Sequence, residues 1–228
     1  MPLQGTRIAG TAIDDRAGCA VLLDLAQRLA SGASLPRCGG GMGWGGARLV
    51  AGTPPAHQGE GSRPRPTVTL VWSVQEEYNL RGVLPAAQAA APDIALQIDL
   101  ILATDTPDMA HRGEVALGGG PAISLYSFHG RGTLNGVIPH PALVEAFEET
   151  AADLSMPLQR SAHTGALTDL SYVQFLGDRG VACLDLGFPC RYTHSALEVA
   201  DLADLEALAD LIHAALPRLA TLPLDRTP

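Results

Sequence analysis

Strand-length apolar runs alternate with helix-period segments along almost the whole chain, and this alternation limits the fold more than any single residue does. Arg7 to Ile13 reads as a short strand and Ala17 to Ala30 as a helix. Thr67 to Val74 reads as a buried strand, Leu80 to Ala91 as a helix stopped by Pro92, and Ile94 to Leu102 as a second buried strand. Pro121 to Ser127, Leu158 to Ser161 and Val181 to Gly187 follow as strands, with helices over Pro141 to Leu154, Thr168 to Leu176 and Leu202 to Leu216. That order predicts an α/β fold, a three-layer α/β/α sandwich with a mostly parallel mixed sheet. The 228 residues suffice for one such domain, 1–228, and not for two.

One stretch breaks the pattern. Ser31 to Pro66 is dense in Gly and Pro, as in Gly39-Gly40-Gly41 and Pro54-Pro55, and shows no apolar period. Residues 32–66 are therefore expected to be a disordered insertion between a helix and a strand, with a substrate-gating loop as the alternative.

A net charge of -9 argues against a nucleic-acid partner and leaves cations as natural ligands. Neither a secretory signal nor an apolar run of membrane-spanning length is present, so a soluble, cytoplasmic protein without a membrane partner is expected. Cys19, Cys38, Cys183 and Cys190 form no Cys-x-x-Cys pair, and Cys19 and Cys183 read as core thiols.

The chemistry-bearing residues gather at strand ends. Thr67 to Val74 runs into Glu76 and Glu77, two adjacent carboxylates that repel each other unless a cation or open solvent relieves them. Asp14 and Asp15 stand where a helix begins; capping accounts for one of them and leaves the other to be placed. Asp99 interrupts the apolar run from Ile94 to Leu102, where a carboxylate must be paired, hydrogen-bonded or metal-bound. His194 follows the strand beginning at Val181. Carboxylates and imidazole converging at strand ends are the ligand set of a hydrolytic zinc or cobalt pair, and an extra carboxylate there commonly takes a proton from water.

Four segments in order, Thr11-Ala12-Ile13-Asp14-Asp15-Arg16-Ala17-Gly18, Ser73-Val74-Gln75-Glu76-Glu77, Ile94-Ala95-Leu96-Gln97-Ile98-Asp99 and Arg191-Tyr192-Thr193-His194-Ser195, resemble the M42 family of metallo-aminopeptidases. The resemblance spans almost the whole chain outside the Gly/Pro-rich stretch and corresponds to the C-terminal half to two-thirds of a usual member. It implies a metal-dependent aminopeptidase acting on peptides with two divalent ions, zinc or cobalt. Asp14 would bridge the ions, Glu77 and His194 would complete one ion's protein ligands, and Asp99 would belong to the other. Glu76 would be the general base, taking the proton of a water activated between the ions before that water attacks the peptide carbonyl. Asp15 would orient a ligand.

Three features depart from the family pattern. No His is followed two positions later by Asp, so the family's upstream His-x-Asp ligand has no counterpart; His57 is the sole histidine before Glu76, and His111, His129, His140 and His163 stand in no matching motif. The family's first strands and its assembly domain are also absent, which predicts an uncovered sheet edge, self-association through it, and no large shell. Gly165-Ala166-Leu167 stands before Thr168-Asp169 where the family has a Gly-Gly-Thr-Asp run, in a segment expected to border the substrate site. The alternative is an inactive remnant of the same fold, holding one ion or none and serving as a binding or assembly module.

Overall fold

A computed structural model describes residues 1–31, 46–52, 66–130 and 132–225. Among the described residues nine strands form one sheet: β1 (Arg7–Gly10), β2 (Gly46–Gly52), β3 (Thr67–Ser73), β4 (Ile94–Leu102), β5 (Ala122–Phe128), β6 (Gly136–Val137), β7 (Gln159–Thr164), β8 (Ala182–Arg191) and β9 (Glu198–Asp201). The helices are α1 (Ile13–Ser31), α2 (Val83–Ala90), α3 (Pro141–Asp153), α4 (Leu170–Val173) and α5 (Leu202–Leu219).

The sheet runs β1-β9-β8-β4-β2-β3, and β5 joins the other side of β8 and carries β6 and β7. β4 and β8 are parallel neighbours over their full lengths, from Ile94↔Ala182 to Leu102↔Cys190. Both are apolar nearly end to end, as strands covered on both faces must be. On one face α1, α3 and α5 bury Leu22, Leu25, Phe147, Leu208 and Ile212 in the cluster that also holds Leu96, Ile98, Leu184 and Leu186. On the other, Val83 and Ala87 of α2 and Leu170 and Val173 of α4 share a smaller cluster with Ala95 and Cys183. These are the expected three layers.

Strand direction positions the site. β9 is antiparallel to both β1 and β8, and β2 is antiparallel to both β3 and β4. Hence β1, β3, β4 and β8 all point the same way, and their C-terminal ends open along one edge. The sheet is mixed, with antiparallel strands threaded between its co-directional ones.

Several elements depart from expectation: β6 and β9 are additional strands, α2 begins at Val83 rather than Leu80, and three further differences have a clear cause. Gly46–Gly52, inside the expected disordered insertion, is a strand paired with both β3 and β4; its short Ala47-Arg48-Leu49-Val50 core was hidden among glycines and prolines. The rest of that stretch, 32–45 and 53–65 with Cys38 and His57, lies outside the described residues. The helix expected from Thr168 shrinks to α4, because the Thr168 hydroxyl donates to Asp185 and the Asp169 carboxylate accepts from Ser73 instead of capping. β8 continues through Pro189 to Arg191, since Pro189 sits where its flanking partner changes from β5 to β9 and no ladder bond is lost. Among the described residues no helix is long and apolar enough to cross a membrane.

Candidate metal centre

Asp14, Glu77 and His194 each follow the end of a co-directional strand, whereas Asp99 lies within β4 near its C-terminal end. After β1 the chain turns through Ala12 at φ 54°, and Asp14 and Asp15 both lie outside helical geometry before α1 becomes regular. Asp15 then caps: its Oδ1 accepts from the Gly18 N–H at 3.0 Å, in a space that a Cβ at Gly18 would occupy. The second aspartate is thus placed. Asp14 is free of the capping task and faces the cavity at the strand ends. After β3, a turn through Gln75 at φ 58° presents Glu76 and Glu77. After β8, Tyr192 and His194 adopt φ 61° and 59°. Non-glycine residues in this region cost on the order of 1 kcal/mol or more each, and here they cluster around one site.

Asp14, Glu77 and His194 converge, each offering a ligand atom within 4.8 Å of the other two. His194 Nε2 lies 3.2 Å from Asp14 Oδ2 and 3.4 Å from Glu77 Oε2. The Thr193 hydroxyl donates to the same Asp14 oxygen at 2.8 Å. Partial burial and the facing Asp14 carboxylate push the Glu77 carboxyl above its ordinary range, against the pull of His194. Two carboxylates and an imidazole at this spacing fit a zinc- or cobalt-like divalent ion, whose charge would relieve that repulsion.

Asp99 and Glu76 stand outside this triad but line the same cavity of about 760 Å³. Asp99 Oδ1 accepts from the Leu100 N–H at 2.7 Å, and Oδ2 from Gln97 Nε2 at 2.6 Å. Gly165, Ala166, Leu167 and Thr168 also border the cavity, as expected for a substrate-facing segment. Of the histidines outside matching motifs, His129 and His163 reach the cavity wall. Burial and Arg112 lower the pKa of His163, which favours a neutral ring. His140 instead caps α3, with its Nε2 3.2 Å from the Leu224 carbonyl. Cys19 and Cys183 are buried thiols as expected, and burial pushes the Cys190 thiol up to about 12, an inert group.

Sequence reasoning missed the supports beneath these residues. Glu198, 2% exposed at the start of β9, accepts the Asp14 N–H at 2.9 Å through Oε2 and the His194 N–H at 3.1 Å through Oε1. Its place four residues after His194 was the available signal. Arg191 grips Asp105 with two 2.7 Å hydrogen bonds and anchors the exit of β8. Burial raises the Asp105 carboxyl, but those bonds and the Leu117 N–H hold it below the usual carboxylate range. Gln97 sits two residues before Asp99, so strand periodicity alone puts both on one face.

The sequence profile of the M42 glutamyl aminopeptidase family matches residues 56–211. The chain belongs to that family. SgcX of Escherichia coli (strain K12), an aminopeptidase by provisional assignment, is 45% identical over 138 residues, which cover 60% of this chain and 37% of SgcX. The solved aminopeptidase APDkam598 of Desulfurococcus kamchatkensis is 28% identical and superposes with a TM-score of 0.74, over 97% of this M42 chain and 53% of its own. The TET1 peptidase of Pyrococcus horikoshii, described as assembling into a tetrahedron or a large octahedral shell, is 25% identical with a TM-score of 0.68, over 94% of this chain and 51% of its own. This M42 chain spans about half the length, or less, of the curated relatives it matches.

Proposed function

We propose that the chain carries the catalytic unit of a metal-dependent aminopeptidase that removes N-terminal residues from peptides. The observation that supports this most directly is the convergence of Asp14, Glu77 and His194 beside a cavity lined by Glu76 and Asp99. Asp14 is read as the shared ligand of two ions, Glu77 and His194 as ligands of one, and Asp99 as ligand of the other. Zinc or cobalt ions held there would supply Lewis acidity, lowering the pKa of water and polarising the scissile carbonyl. Glu76 acts as general base: it takes the attacking water's proton and returns it to the leaving amino group. The cavity admits an extended peptide end, and its acidic rim favours a free amino terminus. On this reading the protein works in the cytoplasm and self-associates.

A second reading is a non-catalytic remnant that holds one ion. Asp99 lies outside the triad of ligand atoms within 4.8 Å, and this favours it. Metal-free protein titrated with zinc or cobalt, assayed in parallel on aminoacyl-anilides, separates the two. Two ions per chain with turnover that rises on the second addition is the expected result; saturation at one ion without turnover would establish the remnant.

A further inference from the structure

Gln97 is 0% exposed, on a strand whose other deeply buried side chains are aliphatic. A buried amide is costly unless both ends are hydrogen-bonded, and an aliphatic residue would fill the same space without that demand. Here both ends are used. Oε1 accepts from the Leu170 N–H at 3.4 Å, at the first residue of α4. That turns the NH2 group toward Asp99, to which Nε2 donates at 2.6 Å. The Leu100 N–H holds the other Asp99 oxygen. The register partner of Asp99 on β8 is Gly187, which offers no side chain, and this support comes along β4 itself.

We propose that Gln97 is a positioning residue for Asp99. It fixes the plane of the carboxylate so that the remaining lone pairs face the cavity, and it ties that plane to α4 through Leu170. The role rests on the reading of Asp99 as a ligand of the second ion. An outer hydrogen bond of this kind typically changes metal affinity 10- to 100-fold, about the effect expected here.

The test is a cobalt titration of the metal-free full chain, followed by calorimetry and by visible absorption, on the parent, Gln97→Leu and Asp99→Asn. The expected result is two ions in the parent. In Gln97→Leu, one ion should keep its parental affinity while the other weakens about 10- to 100-fold with a shifted absorption band. Gln97→Met, closer in shape, is measured alongside and replaces Gln97→Leu should that variant fail to fold. Two ions with unchanged affinity and spectrum in the Gln97 variants would overturn the positioning role and leave the two-ion reading intact. One ion in the parent, indifferent to Asp99→Asn, would overturn the Asp99 ligand and the role of Gln97 with it.

Discussion

The carboxylate of Glu198 holds the backbone of Asp14, accepting its N–H at 2.9 Å from the neighbouring strand β9, while its second oxygen holds the His194 N–H. One buried side chain therefore sets the spacing of two loops whose side chains meet 3.2 Å apart. Glu198→Ala should leave both N–H groups without an acceptor and cost about 1–3 kcal/mol per unsatisfied group in a denaturant melt. Glu198→Gln keeps the shape but turns an NH2 toward one donor, and a loss of metal affinity of about tenfold is expected by calorimetry.

Glu76 and His194 should separate cleanly in their effects. Glu76→Gln is expected to lower kcat by about 10²- to 10⁴-fold with metal content unchanged, because only the proton acceptor is removed. His194→Ala should lose metal first and activity as a result. Equal turnover in Glu76→Gln and the parent would refute the assignment of the base.

Asp204 supplies a pH prediction away from the site. Burial, reinforced by Asp201, pushes its carboxyl up to about 6 despite hydrogen bonds from the Gly118 and Gly120 N–H groups. The folded chain then keeps a proton that the unfolded chain releases near the ordinary value of 3.8. This contribution to stability is complete below that value and is lost as pH rises through about 6. Denaturant midpoints measured at pH 4 and pH 7 should show a smaller acid-side advantage in Asp204→Asn than in the parent.

Gly187 lets β8 approach the Asp99 carbonyl so closely that any Cβ there would run into it. Gly187→Ala should force the two central strands apart at the level of Asp99. A stability loss of about 1–3 kcal/mol is expected, and the weaker of two bound ions should be lost first in a chelator titration.

The three layers and the direction of the ligand-bearing strands were legible because β4 and β8 are near-continuous apolar runs and the long helices carry a clear apolar period. Asp14, Glu77 and His194 stood out as charged or imidazole groups at strand exits, and the structure brings them together. Glu198 and Gln97 escaped notice because their contacts are made with backbone and with a neighbouring side chain, and a lone Glu or Gln in sequence carries no mark of burial. β2 was hidden because its pairing is decided by β3 and β4 rather than by its own composition. The helix expected from Thr168 was overestimated for a related reason: its first polar residues answer to Asp185 and Ser73, partners far away in sequence.

The co-directional strands carry a thermodynamic consequence. The three converging ligands come from the exits of β1, β3 and β8, so an ion held by them would tie Asp14 to Glu77 and His194, residues far apart along the chain. Closing so long a loop is entropically costly for the bare polypeptide, and only the completed sheet pre-assembles it. On the proposed reading, ion binding and folding would be linked: each tenfold rise in free ion above its dissociation constant would add about 1.4 kcal/mol to the folded state, and a chelator would remove that increment.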